Sequence, residues 1–309
     1  MIMCLALLFP GQGSQHVGMG RSLADTYPEA ACVFEEADDV LGFSISKLAW
    51  EGPEEELVLT KNAQPAMLVH STAVSRVIQG RLGEVGLAAG HSLGEFSAHV
   101  AAGTLDFAEA VLTVRLRGEL MYAAGLERPG TMAAVIGLDD ESVVSVCEQA
   151  QDEGSVCVPA NFNATGQVVI SGDLAGVERA MDYAMKAGAK RVVRLNVSGA
   201  FHSPLMAPAE AEFEDWLAPL SFHDPAFPVI ANVTAKPVST GDAARALLIR
   251  QFTTPVQWAA SILHMADCGA DRFLEIGPGS VLRGLNRRIV RRIPCVSLGE
   301  PEDLDEWEP

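Results

Sequence analysis

The 309-residue chain is 49% hydrophobic and carries 22 basic against 40 acidic residues, a formal net charge of -18. That length and apolar content suffice for one large domain, alone or carrying a smaller one. The charge excludes nucleic acid as a general partner, because phosphate binding needs a basic face that this composition supplies only locally.

The opening run Met1-Ile2-Met3-Cys4-Leu5-Ala6-Leu7-Leu8-Phe9 has no basic flank and passes into Pro10-Gly11-Gln12-Gly13 without a small-x-small cleavage site. It reads as a first core strand near 4–9, and no later run reaches the roughly 18 apolar residues of a membrane span. Helical signals follow near 18–40 and 62–79. A short buried strand, Val85-Gly86-Leu87-Ala88-Ala89, and a helix over 95–102 come next. Such alternation predicts the α/β class, a parallel sheet covered by helices. A further helix opens at Asp106, with Glu109 as its expected reciprocal cap. From Thr131 the rhythm changes to strand, helix, strand, strand, helix, strand, with Asn161-Phe162-Asn163-Ala164-Thr165-Gly166 read as a joining loop. That order matches a ferredoxin-like α+β unit, so 129–197 is expected as a small domain inserted into a large one made of 1–128 and 198–309. The α/β pattern then resumes with strands at 229–233 and 272–276. The latter ends in Gly277-Pro278-Gly279 before a basic helix carrying Arg283, Arg287, Arg288, Arg291 and Arg292. The last ten residues, acid after acid with two prolines, read as a solvated tail.

Six scattered cysteines without a C-x-x-C pair, and seven histidines without H-E-x-x-H, show neither a redox nor a metal motif. Free thiols of this kind fit a reducing cytoplasm, where they serve as small core residues.

Chemistry concentrates first at Gly90-His91-Ser92-Leu93-Gly94. Small residues two before and two after a serine, between a buried strand and a helix, allow a strained elbow that exposes a nucleophile. A structural Gly-Ser turn is the alternative. A serine hydroxyl needs a base, and His202, in the loop Ser198-Gly199-Ala200-Phe201-His202-Ser203-Pro204 at the exit of the small domain, is a better candidate than His91, which an elbow turns away from its neighbour. An ordinary loop histidine is the competing reading there. The glycine-rich loop 9–15 lets backbone N–H groups approach a ligand and, with the N–H of Leu93, could form an oxyanion hole. It lacks the third glycine of a dinucleotide fingerprint and the lysine of a phosphate loop. Arg117 has Thr113, Val114, Leu120 and Met121 as helical neighbours, so its guanidinium needs an anion, either an internal carboxylate or a bound one. Arg115, on another face, can pair with Glu119.

These segments, with Leu8 to Gln15, Gly90 to Glu95, Arg117-Gly118, Asn161-Phe162-Asn163, Gly199 to Ser203, Pro255-Val256-Gln257-Trp258 and Glu275 to Gly279, resemble the malonyl-CoA:acyl carrier protein transacylase family over nearly the whole chain. The resemblance implies a large parallel-sheet, α/β-hydrolase-like domain with the small ferredoxin-like domain inserted. It further implies Ser92 as the acylated nucleophile, His202 as its base, the main-chain carbonyl of Gln251 as the third member, and the N–H groups of Gln12 and Leu93 as oxyanion hole. Arg117 would clamp the free carboxylate of malonate, with Asn161, Asn163, Phe201 and Gln12 also on the substrate side. Bulky Phe201 leaves little room for a branched acyl group. A coenzyme A thioester would be the substrate, with no bound cofactor and no metal. Malonyl-CoA and acyl carrier protein would be the partners of a cytoplasmic monomer, with Arg287 and Arg288 on the basic helix facing the acidic carrier. A stand-alone malonyl acyltransferase of a polyketide synthase is the near alternative. An esterase or thioesterase is the more distant one, for it would gain nothing from Arg117.

Overall fold

The computed structural model describes residues 4–151 and 154–308. The chain opens with β1 (Cys4–Phe9), followed by α1 (Arg21–Thr26), α2 (Pro28–Leu41), α3 (Ile45–Glu51), α4 (Glu54–Leu57) and the long α5 (Thr60–Ile78). Next come β2 (Val85–Gly90), α6 (Gly94–Ala101) and α7 (Phe107–Glu127). The middle of the chain runs β3 (Gly130–Ile136), α8 (Asp140–Ala150), β4 (Cys157–Ala164), β5 (Gln167–Asp173), α9 (Leu174–Lys186) and β6 (Arg191–Arg194). The remainder holds α10 (Ala207–Leu217), β7 (Val229–Ile230), β8 (Pro237–Val238), α11 (Gly241–Arg250) and α12 (Trp258–Asp267). It ends in β9 (Ala270–Ile276), α13 (Val281–Ile289), β10 (Cys295–Leu298) and α14 (Pro301–Glu306).

The larger sheet has the order β10-β9-β1-β2-β7-β8, parallel throughout except for β8, which returns antiparallel on β7. Its central strands are buried on both faces, which is why Leu5 to Phe9 and Leu87 to Ala89 read as continuous apolar runs. The buried acid of that sheet, Glu275 on β9, is satisfied. Its carboxylate accepts from the N–H groups of Leu282 (2.8 Å) and Arg283 (3.0 Å) at the start of α13, and from Ser297 Oγ (2.8 Å). Burial pushes its pKa up, while these donors pull it down.

The second sheet, β4-β5-β3-β6, is antiparallel in every pairing. Alternation along β3 sends Ala133 and Val135 toward α8 and α9, where they join Val143, Val146, Val177 and Ala180. Met132 and Ala134 point the other way, into the core of the large sheet. Backbone bonds from Phe162 N to Val256 O (2.9 Å) and from Val256 N to Ala160 O (2.8 Å) tie β4 to the chain before α12.

Four expectations need correction. Asn161 to Ala164 form the end of β4, not a loop, and the turn is confined to Thr165-Gly166, because the backbone on either side of Asn161 bonds to Val256 and Asn163 Oδ1 accepts from His91. Asp106 precedes α7 but makes no side-chain cap, and Glu109 Oε2 is buried without a partner, so the reciprocal cap is absent. The basic helix stops at Ile289, which leaves Arg291 and Arg292 in the following turn. The acidic end is not a solvated tail. Glu300 and Asp303 form a capping box for α14, Leu304 and Trp307 are buried in the main core, and Arg81 donates to the carbonyls of Leu304 and Trp307 while lying over the Trp307 ring. No helix among the described residues is long and apolar enough to cross a membrane.

Candidate active site

Three residues turn the chain from the end of β2 into α6. Ser92 lies at their centre with φ 50°, in the left-handed region that costs a non-glycine residue about 1 kcal/mol or more. Close approach makes the elbow possible. A Cβ on Gly94 would stand 2.1 Å from the Phe9 carbonyl oxygen, and one on Gly11 would stand 2.4 Å from that of His91. The elbow therefore rests directly on the loop after β1, and His91 N donates to Phe9 O (2.9 Å).

Ser92 Oγ lies 2.8 Å from His202 Nε2, and His202 Nδ1 lies 2.8 Å from the main-chain oxygen of Gln251. A carbonyl only accepts, so Nδ1 carries the proton and Nε2 is left free to accept from the serine hydroxyl. His202 is itself held at φ 56°, in a turn stabilised by Ser203 Oγ donating to Ala200 O (2.6 Å). Burial, followed by the nearby Arg117 charge, lowers the His202 pKa to about 3, so the imidazole is neutral and available as a base.

Arg117, on α7, is 1% exposed. Its Nη1 donates to Gln64 Oε1 (2.6 Å), and its Nη2 donates to Gln251 Oε1 (2.8 Å) and to Ser92 Oγ (3.2 Å). Phe96 and Phe252 rings flank the guanidinium at 5.5 and 5.3 Å. Burial lowers its pKa to about 10, which leaves it a cation at neutral pH. Of the two readings of its charge, the internal ion pair is not made directly: both strong partners are neutral amide oxygens. The nearest compensating acid is Glu95, reached only through Gln251, whose Nε2 donates to Glu95 Oε2 (2.6 Å). Arg115, by contrast, pairs with Glu119 at 2.6 Å.

A cleft of about 500 Å³ opens over these groups. Gln12, Ser92, Leu93, Arg117 and His202 line it from the large sheet, and Met132, Asn161 and Leu195 from the small one, with Phe201 at the junction. Neither the Gln12 N–H nor the Leu93 N–H donates within the described residues, so both remain free for a ligand oxygen. The Gln12 side chain is held by Thr60 Oγ1 (2.8 Å), which in turn receives Gln64 Nε2 (2.9 Å). Asn163 is not in the cleft lining. Its Oδ1 accepts from His91 Nε2 (2.8 Å), and His91 packs against Trp258. Arg287 and Arg288 lie outside the cleft on α13, where Arg287 is exposed and Arg288 donates to Gln167 Oε1 (2.5 Å) on β5. A second cavity of about 420 Å³, beside Leu82, Val85 and Arg76 at the far end of β2, holds none of these residues.

A serine activated by a neutral, oriented histidine, beside two free backbone donors and a buried cation, is equipped for acyl transfer. The family model described as acyl transferase domain matches residues 6–300. The chain belongs to the acyl transferase family. It is 47% identical over 300 residues to the malonyl CoA-acyl carrier protein transacylase of Escherichia coli K12, covering 97% of each chain. Against the protein of the same name from Bacillus subtilis 168 it is 44% identical, covering 97% of this chain and 95% of that one. Among solved structures, the Vibrio cholerae acyl carrier protein S-malonyltransferase superposes with a TM-score of 0.94 at 43% identity, over 97% of this chain and 98% of that one. A malonyl-transacylase in complex with a type II polyketide synthase acyl-carrier protein gives 0.94 at 44% identity, over 98% of both chains.

In this acyltransferase, sequence reasoning missed three buried polar residues. Asn232, following β7, accepts from Ser92 N (2.7 Å) and donates to Gly90 O (2.6 Å), clamping the backbone on either side of His91 at the entry to the elbow. Gln64 holds the Arg117 head. Glu95 Oε2 receives both Gln251 Nε2 and Asn232 N (3.1 Å). Gln251 also contributes more than its carbonyl, since its amide spans Arg117, Glu95 and Ser92 O (3.2 Å).

Proposed function

We propose that the enzyme transfers malonyl groups from malonyl-CoA to the phosphopantetheine thiol of acyl carrier protein through a malonyl ester on Ser92. The observation that carries this reading is the Ser92 hydroxyl held between His202 Nε2 at 2.8 Å and the Arg117 guanidinium at 3.2 Å. His202 takes the hydroxyl proton as Oγ attacks the thioester carbonyl, and the oxyanion is received by the N–H groups of Gln12 and Leu93. Coenzyme A leaves as a thiol with that proton. The carrier thiol then repeats the steps in reverse, which makes the kinetics ping-pong.

Donor arithmetic supports a carboxylate clamp. Each Nη has two protons; one apiece is taken by the amide oxygens of Gln64 and Gln251. The second Nη1 proton, and the Nη2 proton that reaches Ser92 Oγ, remain for a two-pronged grip on a free carboxylate. Phe201, buried at the cleft junction, limits the space beside the acyl carbon. Asn161 faces the same space, whereas Asn163 acts by orienting His91.

The further parts of the reading are that 129–197 is a separate inserted domain, that the enzyme works as a cytoplasmic monomer without a bound cofactor, and that it supplies fatty acid synthesis. The exposed arginines of α13, Arg287 foremost, steer the acidic carrier by local charge despite the net charge of -18. The test is intact mass after brief mixing with malonyl-CoA or acetyl-CoA. A malonyl adduct should form in wild type, disappear in Ser92→Ala, and give way to acetyl in Arg117→Ala. Free acid accumulating without an adduct would replace this reading with a hydrolase.

A further inference from the structure

Glu95 follows the nucleophile by three residues and is 1% exposed, in a helix turn whose other side chains are apolar or small. One of its oxygens, Oε2, takes both available donors, Gln251 Nε2 and Asn232 N, while Oε1 is buried with no partner. A buried acid so placed is an incomplete ion pair. The cation it balances is Arg117, one glutamine amide away, and that guanidinium is in turn the group posed to receive the substrate carboxylate. Two carboxylates and one guanidinium cannot all be charged in this enclosed space without a net buried negative charge.

We propose that Glu95 is the counter-charge of Arg117 in the empty enzyme and yields that place to the malonyl carboxylate, taking up one proton from solvent as the malonyl group enters. This rests on the malonyl transfer inferred above. The acyl step itself consumes no solvent proton: the Ser92 O–C bond forms, the thioester C–S bond breaks, and the serine proton passes through His202 to the coenzyme A sulfur. Proton uptake is therefore a separate event that reports the second carboxylate. Around Glu95, α6 packs against β1, β2, α5, α7 and β7. The titratable groups there are Arg117 on α7, His70 on α5, His99 one turn along α6, and His91 and His202 in the site loops. Burial holds all four histidines toward the neutral form, so Arg117 is the charge that acts on Glu95. Burial outweighs that attraction and raises the Glu95 pKa to about 7, within reach of a proton at working pH. The device makes the empty site neutral, and it makes malonyl affinity fall as pH rises while acetyl affinity stays level.

The experiment is a weakly buffered rapid mix of enzyme with malonyl-CoA or acetyl-CoA, reading an indicator dye and quantifying the acyl-enzyme by mass in the same samples. At pH 7.5 wild type should take up roughly 0.5 to 1 proton per malonyl-enzyme beyond the acetyl control, and little at pH 6. Glu95→Gln keeps an acceptor oxygen for Gln251 and Asn232 and should acylate without the uptake. In wild type alone, the malonyl to acetyl ratio of kcat/KM should fall about tenfold per pH unit above pH 7. Malonyl-enzyme forming with no extra proton, the same uptake in Glu95→Gln, or a flat ratio would overturn the proposal. Absence of any malonyl adduct would overturn the function and this inference with it.

Discussion

Asn232 should be worth more to the enzyme than its distance from the substrate suggests. It is fully buried, and its side chain satisfies Ser92 N–H at 2.7 Å and Gly90 C=O at 2.6 Å, the backbone groups on either side of His91 where the elbow begins. Asn232→Ala strands both in a dry interior, where each lost bond costs about 1–3 kcal/mol, so the ground state should weaken by ~2–6 kcal/mol. The same bonds oppose the strain of Ser92 at φ 50°, and without them the serine can relax toward an ordinary conformation that carries Oγ away from His202 Nε2. Urea unfolding measures the first effect and the burst rate of acyl-enzyme formation measures the second. The rate should fall at least tenfold, and Asn232→Asp, which keeps the acceptor for Ser92 N but sets a carboxylate against Gly90 O, should not restore it. A variant within 1 kcal/mol of wild type that acylates at the wild-type rate would refute the argument.

Acid stability should follow the buried histidines. His70, His99 and His202 have pKa values lowered to about 4, 3 and 3, so below pH 6.5 the unfolded chain binds protons the native state refuses, and stability falls as pH falls. The three together give a slope of roughly 4 kcal/mol per pH unit between 6.5 and 4.5, measurable as Tm against pH. His99→Phe should lower that slope by about a third, since neither ring nitrogen of His99 has a partner to lose. Trp307→Ala should cost about 3 kcal/mol by emptying a core position and removing the face on which Arg81 rests, whereas a solvated end would cost nothing in the same denaturation curve. Arg287→Glu should raise the KM for acyl carrier protein several-fold without changing self-acylation by malonyl-CoA, and an unchanged carrier KM would remove α13 from the docking surface.

Local signals were legible wherever the chemistry is local. The elbow announced itself because Gly94 and the loop after β1 must touch, and the small-residue spacing follows from that contact. The pairing of Ser92 with His202 was suggested by residue types and by the place of His202 in the loop after β6, with the family resemblance deciding it against an ordinary loop histidine. Asn232, Gln64 and the amide of Gln251 left no such trace, because an uncharged polar residue looks the same in a sequence whether it meets water or a backbone bracket. Glu95 did leave one: an acid in the first turn of a helix, Gly94 to Ala101, made mostly of apolar and small residues has little solvated face to occupy. The acidic end misled because its charge hides a spacing of three between Pro301, Leu304 and Trp307, which places all three on the side of α14 that meets the core. Asn161 and Asn163 look like turn formers by type, yet both lie in β4, two residues apart, one lining the cleft and the other bonded to His91 beside it.

The pairing order of the large sheet also sets a timetable for synthesis. β1 is translated first, yet one of its edges is filled by β2 and the other only when β9 emerges, long after the second sheet has been made. For most of elongation β1 therefore keeps one edge open, while every strand pairing of the second sheet is available within the segment from β3 to β6. The edge left waiting, Leu5 to Phe9, belongs to the strand that carries the active-site loop.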